Sequence, residues 1–243
     1  MVQRYRLFVQ AALTEKSIIR CEPAQAHYLL TVLRMKTGSI IGVFNGIDGE
    51  WEGELQLQGR KAVTIHIGHK LKDQPTASDL MYLFAPIKRA RLDYMTQKAT
   101  EMGASILQPV ITQYTNTYPL KLERMRLNAI EAAEQCNLLT IPEVREPVNL
   151  AEIIENWPSN RCLIYCDERA DASCVIEQLR AIDAKSLAVL IGPEGGFSEQ
   201  ENELLRAQSF VVPISLGPRI MRADTAAVAA LTIVQATLGD WCT

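Results

Sequence analysis

Residues 187–207, with the sequence LAVLIGPEGGFSEQENELLRA, decide the fold class of this protein. The segment opens with an apolar run typical of a buried strand, passes through a loop that contains three glycines, and ends in a helical pattern. Ser198 and Glu201 stand three residues apart in a capping-box pattern, which predicts a helix that begins directly after Ser198. Strand, loop and helix in this order form the building unit of an α/β domain with a parallel sheet.

The same alternation extends over residues 80–243. Apolar runs predict further strands at residues 80–85, 106–112, 161–166 and 210–216. Amphipathic stretches predict helices at residues 88–103, 120–137, 173–181 and 199–207, followed by a final alanine-rich helix. Because strands and helices alternate throughout, we expect a parallel sheet covered by helices on both faces.

The first 72 residues have a different pattern, in which apolar and polar residues alternate with a period of two. This pattern predicts strands at Arg4–Val9, Ser39–Asn45, Glu50–Leu57 and Ala62–Gly68. A single helix is predicted from Pro23 to about Leu33. We therefore expect a small barrel or half-barrel over residues 1–72, a linker over residues 73–79 and the α/β domain over residues 80–243.

Composition excludes several classes of protein. The chain has 243 residues, of which 48% are hydrophobic and 22% charged, so it is neither disordered nor a disulfide scaffold. Its longest nearly uncharged run, residues 225–239, is too short for a membrane helix, and the N-terminus lacks a signal-peptide core. The six cysteines contain no CxxC pair, so we expect reduced thiols, no metal site and a cytoplasmic location.

Charge is distributed unevenly along the chain. Residues 1–72 contain ten Lys and Arg against six Asp and Glu, whereas the remainder is acidic and brings the total to −3. A basic small domain favours contact with a polyanion such as RNA, although a chance distribution over a solvated surface remains open. The candidate RNA contacts are Arg4, Arg6, Arg34 and Lys36, extended in the second domain by Lys88, Arg89 and Arg91.

The loop Gly192–Phe197 lies where ligands bind in open α/β sheets, beyond the carboxyl end of a strand. It lacks the Lys and Ser or Thr of a phosphate-binding loop, and Glu194 at its centre would repel phosphate and tolerate a cation. S-adenosylmethionine, whose reactive centre is a positive sulfonium, suits such a loop. A tight turn in which Glu194 caps neighbouring backbone groups is the alternative.

A second unusual loop, SLGPRIMRADT over residues 215–225, precedes the final helix. Its arginines, Arg219 and Arg222, could hold an RNA phosphate or orient a base. They could equally form ion pairs with Glu194 or Asp224. Asp224 or Thr225 is the predicted N-cap of the helix.

Together, the segments LIGPEGGFSEQE and SLGPRIMRADTAAVAAL resemble the two C-terminal motifs of the RsmE family, bacterial 16S rRNA uridine-N3 methyltransferases of the SPOUT class. Further similar segments occur in the same order: RYRLFV, HYLLTVLRMKTGS, FNG, QKATEMGA and EAAEQ. The chain departs from the family pattern at Leu138, where arginine is common, at Met221, where leucine is usual, and at Asp224, where glutamate is common.

The resemblance implies a PUA-like β-barrel, a SPOUT domain with a C-terminal trefoil knot, a homodimer, and S-adenosylmethionine as cofactor. Its implied reaction is methylation of N3 of a uridine in the decoding region of 16S rRNA, in the small ribosomal subunit. The implied cofactor contacts are Leu190, Ile191, Gly192, Pro193, Gly195, Gly196, Ser215, Leu216, Gly217, Ile220 and Met221. Asp167 and Glu168 are weaker candidates, and Arg222, then Arg219 and Glu194, are the candidate catalytic residues.

Three other functions remain open at this point. A SPOUT enzyme that acts on tRNA would carry the same motifs. A non-catalytic RNA-binding assembly factor would bind no methyl donor. A nucleotide-binding enzyme that holds phosphate in the loop Gly192–Phe197 is disfavoured by Glu194 and by the missing lysine.

Overall fold

Two β-sheets organise the protein, and the computed structural model describes residues 5–59, 62–116, 119–170 and 174–242. The chain divides into two units. The first contains Met1–Thr76 and Ala133–Ile141, and the second contains Ala77–Ala132 and Pro142–Thr243. The division at Thr76 falls inside the predicted linker. The inclusion of residues 133–141 in the first unit is not anticipated by the sequence, and it follows from packing of Ala133 and Leu139 with the buried ring of Phe44.

The first unit has a five-stranded sheet. Its strands are β1 (Arg6–Phe8), β2 (Ile18–Arg20), β3 (Ile40–Phe44), β4 (Glu50–Gln58) and β5 (Ala62–Lys72), in the order β1-β3-β4-β5-β2. β1 is parallel to β3, and the other neighbours are antiparallel. Helix α1 (Pro23–His27) continues into a π-helical segment (Tyr28–Val32), where the sequence predicts one regular helix to Leu33.

Alternation along β5 shows why this sheet forms. Val63, Ile65 and Ile67 are at most 3% exposed and point into one core, while the residues between them face outward. Gly53 on β4 is required by this packing, since a Cβ there would lie 2.6 Å from both the Ile65 and Val43 side chains. The four predicted strands are confirmed, and β2, with three residues, is too short to give a period-two signal.

The second unit has a parallel sheet with the order β12-β10-β11-β6-β7-β8, and β9 also pairs with β7. Its strands are β6 (Leu80–Phe84), β7 (Ile106–Ile111), β8 (Glu143–Val144), β9 (Val148–Asn149), β10 (Arg161–Cys166), β11 (Ser186–Ile191) and β12 (Val211–Ile214). After α1 of the first unit, the helices along the chain are α2 (Arg89–Glu101), α3 (Leu122–Gln135), α4 (Leu150–Glu155), α5 (Val175–Arg180), α6 (Glu199–Arg206) and α7 (Ala223–Thr237). A 3-10 helix follows at Asp240–Cys242.

Every residue of β11 is buried, as expected for a central strand covered on both faces. Val189 and Ile191 face one core, which contains Met95 of α2 and Leu231 of α7. Leu190 faces the other core, which includes residues of α4 and α6. The predicted α/β architecture with a parallel sheet is confirmed.

Two details differ from the sequence prediction, and one lies outside the described residues. Helix α7 begins at Ala223 with Arg222 as N-cap, so Asp224 lies in the first turn and the predicted caps are wrong by two or three residues. β8, β9 and α4 are not predicted from the sequence, and β8 and β9 have only two residues each. Residue 173, the predicted start of α5, lies outside the described residues. None of the helices in the described part of the chain is long and apolar enough to cross a membrane.

Candidate functional site

A cavity of about 300 Å³ lies at the carboxyl ends of β10, β11 and β12 in the second unit. Its walls come from the three loops that follow these strands, residues 165–170, residues 191–197 without Gly195, and residues 215–221. Asn202 of α6 and Ala223 and Ala226 of α7 complete the lining. This is the edge of an open parallel sheet where ligands bind, because the strand ends leave a crevice there.

The loop after β11 is shaped by its glycines. A Cβ at Gly192 would lie 2.6 Å from the ring of Phe197, so only glycine allows this ring to fold back under the loop. Gly196 has a φ of +69° and donates its backbone N–H to the Pro193 carbonyl at 2.9 Å, which closes a turn. The predicted capping box is confirmed, since Ser198 accepts from the Glu201 N–H and Glu201 accepts from the Ser198 N–H.

A buried aromatic pair supports the loop from below. The ring of Tyr165 packs edge-on against Phe197, with ring centroids 5.2 Å apart. The Tyr165 hydroxyl donates to Asn202 Oδ1, and the Asn202 amide donates to the Phe197 carbonyl at 3.2 Å. Burial raises the pKa of the Tyr165 hydroxyl far above its usual value, and it raises the pKa of the neighbouring Cys166 thiol to about 12. Both groups therefore line the cavity in neutral form.

Asp167 ends β10 and holds the first loop. It is 4% exposed, accepts from the Arg169 N–H at 2.9 Å and from Arg206 Nε at 3.1 Å. Arg169 in turn donates a hydrogen bond from Nη1 to Glu199 Oε2 at 2.6 Å. The next residue, Glu168, faces the second loop, because a Cβ on Gly196 would lie 3.8 Å from its Oε1. The two loops thus form adjacent walls.

The loop after β12 presents the third wall. Ser215 Oγ accepts from the Gly217 N–H at 3.3 Å, and Gly217 has a φ of +105°, a conformation that favours glycine. Ile220 is 90% exposed at the rim of the cavity. Within the described residues, Arg219 and Arg222 form no ion pair, so the predicted pairing with Glu194 or Asp224 is not observed.

Glu194 pairs with Arg91 of α2, at 3.3 Å between Oε1 and Nη1. Both side chains are more than a third exposed, so the pair contributes little to stability. It does set the position of the only carboxylate in the GPEGG loop. Arg91, predicted as an RNA contact, is therefore engaged with the loop instead of standing alone on the surface.

Most of the predicted site residues meet in this cavity. The lining includes Ile191, Gly192, Pro193, Gly196, Ser215, Leu216, Gly217, Ile220 and Met221, together with Glu194, Arg219, Asp167 and Glu168. Three predicted residues are not in the lining. The Leu190 side chain is fully buried in the opposite core, Gly195 contacts Tyr114, and Arg222 is exposed as the N-cap of α7.

Several lining residues were missed by sequence reasoning. They are Tyr165, Cys166, Arg169, Ala170, Phe197, Asn202, Pro218, Ala223 and Ala226. The first four belong to the end of β10 and its loop, for which the sequence gives only the weak signal of two acidic residues after an apolar run. Phe197 and Pro218 lie in the two loops that the sequence singles out. Asn202, Ala223 and Ala226 contact the cavity because α6 and α7 pack beside it.

The predicted RNA contacts of the first unit divide into three groups. Arg4 lies outside the described residues. Arg34 and Lys36 are exposed, as an RNA contact requires. The prediction that Arg6 is a surface contact is wrong, because its side chain is only 5% exposed and its Nε lies 3.1 Å from Glu50 Oε1 in an ion pair. In the second unit, Lys88 and Arg89 are exposed.

Comparison with known proteins agrees with this arrangement. A family model described as an RNA methyltransferase domain matches residues 74–235, and a model of an RNA methyltransferase PUA domain matches residues 22–68. Ribosomal RNA small subunit methyltransferase E from Rickettsia conorii is 30% identical over 98% of this chain and 97% of its own length. The chain belongs to this methyltransferase family. Its counterpart from Synechocystis is 31% identical over 98% of this chain and 79% of its own length.

Two solved structures of similar proteins contain S-adenosylmethionine. A methyltransferase from Legionella pneumophila with this bound cofactor has a TM-score of 0.84 and 28% identity, covering 97% of this chain and 98% of its own. The ribosomal RNA small subunit methyltransferase E from Neisseria gonorrhoeae, bound to S-adenosylmethionine, has a TM-score of 0.84 and 26% identity. The match covers 96% of this chain and 98% of the Neisseria chain. Membership of the family and the PUA-like domain predicted from the sequence are therefore confirmed.

Proposed function

We propose that this protein transfers the methyl group of S-adenosylmethionine to N3 of a uridine in the decoding region of 16S rRNA, within the small ribosomal subunit. The observation that carries the proposal is the cavity at the ends of β10, β11 and β12, in a chain that belongs to the ribosomal RNA small subunit methyltransferase E family. The finer choice of base and position rests on the resemblance of the two loop motifs to that family.

The chemistry of the cavity fits the cofactor. Its lining contains three carboxylates, Asp167, Glu168 and Glu194, against two arginines, Arg169 and Arg219, and no lysine, a balance that accepts a cation better than a polyphosphate. Gly192 and Gly217 allow close approach of backbone to a ligand. Apolar side chains for an adenine ring come from Ile191, Leu216 and Met221, among others. When bound, the cofactor supplies a methyl group activated by a sulfonium.

The protein itself has two tasks, alignment of the acceptor nitrogen and handling of one proton. Removing a proton that titrates about two pH units above neutral costs about 2.7 kcal/mol, which a guanidinium close to the developing anion can offset. Arg219 lines the cavity and forms no ion pair among the described residues, so we assign it to the ionised uracil. Arg222, outside the lining, is assigned to the RNA backbone.

The remaining parts of the assignment follow the family resemblance. We propose a C-terminal trefoil knot, supported by the return of α7 from the edge strand β12 to pack against α2, α5 and the central strand β11. We also propose a homodimer, in which a second copy covers the exposed Ile220, and a cytoplasmic location. Light scattering of the purified protein tests the dimer.

Labelled methyl incorporation tests the activity. Purified small ribosomal subunits from cells that lack this enzyme are incubated with the protein and methyl-labelled S-adenosylmethionine, and the digested RNA is resolved by mass spectrometry. We expect N3-methyluridine at one site in 16S rRNA. A parallel reaction contains tRNA in place of the subunits, and label in that reaction supports the alternative SPOUT substrate. No label in either reaction, together with no shift of the melting temperature on addition of S-adenosylmethionine, supports a binding protein without a catalytic role.

An arginine variant tests the assigned role within the site. Arg219→Ala should keep its affinity for S-adenosylmethionine in calorimetry and lose at least tenfold in turnover. Arg180→Ala, which changes an exposed arginine at the end of α5, is the matched control. Equal turnover of the two variants would remove Arg219 from the reaction.

A further inference from the structure

Tyr114 is an exposed aromatic residue that the proposed chemistry does not yet use. It lies in the loop after β7, and 48% of its surface is exposed. Exposed tyrosines on flexible loops are common and carry no function by themselves. The setting of Tyr114 differs, because its loop is fixed and it lies beside the cavity.

Short hydrogen bonds fix this loop at both ends. The Thr112 N–H donates to Thr115 Oγ1 at 2.9 Å, and the Thr115 N–H donates back to the Thr112 carbonyl at 3.1 Å. Between them, the Gln113 N–H donates to Glu201 Oε1 at 2.8 Å. The second carboxylate oxygen of Glu201 accepts from the Ser198 N–H at 2.8 Å. One carboxylate therefore ties the Tyr114 loop to the end of the GPEGG loop.

The ring of Tyr114 lies against the GPEGG loop. A Cβ on Gly195 would meet Tyr114 Cβ at 3.3 Å, its Cγ at 3.7 Å and its Cδ2 at 3.9 Å. Gly195 is not part of the cavity lining, but its neighbours Glu194 and Gly196 are. Tyr114 thus lies at the rim, separated from the cavity by the thickness of one backbone segment.

We propose that Tyr114 is the stacking surface for the uracil that is methylated. This inference rests on the proposed function, since it names the contact that holds the acceptor base at the cofactor cavity. N3 lies on the Watson–Crick edge of uracil, so the base must leave its pair before it can react. An aromatic ring fixed at the rim replaces the lost stacking in a way that does not depend on base-specific hydrogen bonds.

Charges around the rim favour RNA over protein as the occupant. Arg91 is held beside Glu194 at 3.3 Å, and Arg219 is exposed in the lining. The Arg91 guanidinium is suited to a phosphate that flanks a splayed-out base, while Arg219 keeps its assignment to the ionised uracil. Gly195, which has no side chain, leaves room for Tyr114 beside the loop, and 48% of the Tyr114 surface stays exposed for a ligand.

Four variants test the inference: Tyr114→Ala, Tyr114→Leu, Tyr114→Phe and the control Tyr94→Ala. Tyr94 is a suitable control because it is 45% exposed and its ring faces Lys98 of its own helix, 5.6 Å from the ring centroid. Steady-state methylation of small ribosomal subunits gives kcat and KM, and calorimetry gives the Kd for S-adenosylmethionine. Circular dichroism checks folding.

We expect kcat/KM for small subunits to fall by about 5- to 150-fold in Tyr114→Ala and Tyr114→Leu, the range found when a base–aromatic stack is removed. Tyr114→Phe, which keeps the ring and loses the hydroxyl, should restore activity to within twofold. The Kd for S-adenosylmethionine should stay within twofold throughout. Tyr94→Ala should have the same kcat/KM and the same Kd for S-adenosylmethionine as the wild-type protein.

Several results would overturn the inference. Full activity of Tyr114→Ala would show that the ring does not contact the base. A loss in Tyr114→Leu that Tyr114→Phe shares would assign the effect to the hydroxyl group instead of to stacking. A change in oligomeric state with unchanged kcat/KM would assign the ring to a protein interface. If the wild-type protein does not methylate small ribosomal subunits, the proposed function is refuted, and this inference with it.

Discussion

Replacing Arg6 with methionine should destabilise the first unit strongly, although the sequence alone places this arginine on an RNA-binding surface. The Arg6 and Glu50 side chains are each 5% exposed and lie 3.1 Å apart. Arg6 also donates to the Ala133 carbonyl at 2.7 Å and to the Leu138 carbonyl at 2.8 Å. Arg6→Met would leave a buried carboxylate, the buried Ala133 carbonyl and the partly buried Leu138 carbonyl without this donor.

The expected magnitude follows from these contacts. Removing one partner of a buried ion pair typically costs about 3–5 kcal/mol, because the other charge stays buried. Lys72 Nζ remains 3.1 Å from Glu50 Oε2, which compensates part of that charge and places the expected loss near 3 kcal/mol. Much of this loss is relieved when the carboxylate is neutralised. Glu50→Gln should therefore be less harmful in the Arg6→Met background than alone.

Urea denaturation of the two single variants and the double variant measures the coupling energy, which we expect between about 1 and 3 kcal/mol. The exposed Arg20→Met, in strand β2, is the matched control and should change stability by less than about 0.5 kcal/mol. A loss below about 1 kcal/mol in Arg6→Met, accompanied by weaker RNA binding, would refute the structural role and return Arg6 to the RNA surface.

Three further predictions concern other parts of the molecule. Gly192→Ala should weaken binding of S-adenosylmethionine at least tenfold in calorimetry, because the new methyl group displaces the aromatic ring beneath the loop; unchanged affinity would contradict this packing. Cys174, which is exposed, should be alkylated at pH 8 while Cys166 is not, since the Cys166 thiol, with its pKa raised to about 12, stays protonated. Because the pKa of the Cys166 thiol is raised on folding, the contribution of this group to stability is complete below about pH 9 and is lost toward pH 12. Alkylation of Cys166 at pH 8 as fast as that of Cys174, followed by mass spectrometry, would contradict the raised pKa. Arg34→Ala with Lys36→Ala should weaken RNA binding and reduce its salt slope by about 1 to 2, with cofactor affinity unchanged; an identical slope would exclude both side chains from phosphate contact.

Local patterns were sufficient for much of the molecule. Five strands of the parallel sheet, β6, β7, β10, β11 and β12, and the capping box at Ser198 follow from neighbouring residues, because helix caps and strand periodicity depend on side chains a few positions apart. The same reasoning located two of the three loops that form the cavity, since parallel strands end at one edge of a sheet.

Tertiary structure decided which of those residues act together. Sequence could not show that Arg6 is internal, because a charged residue in a period-two strand looks exposed until Glu50 and the segment 133–141 are brought to it. Nor could it show that Arg91 reaches Glu194 across more than a hundred residues, that Arg222 lies outside the cavity, or that Tyr114 contacts Gly195. Such contacts depend on the order of strands in the sheet and on the helices that return over it, and no spacing along the chain encodes either one locally.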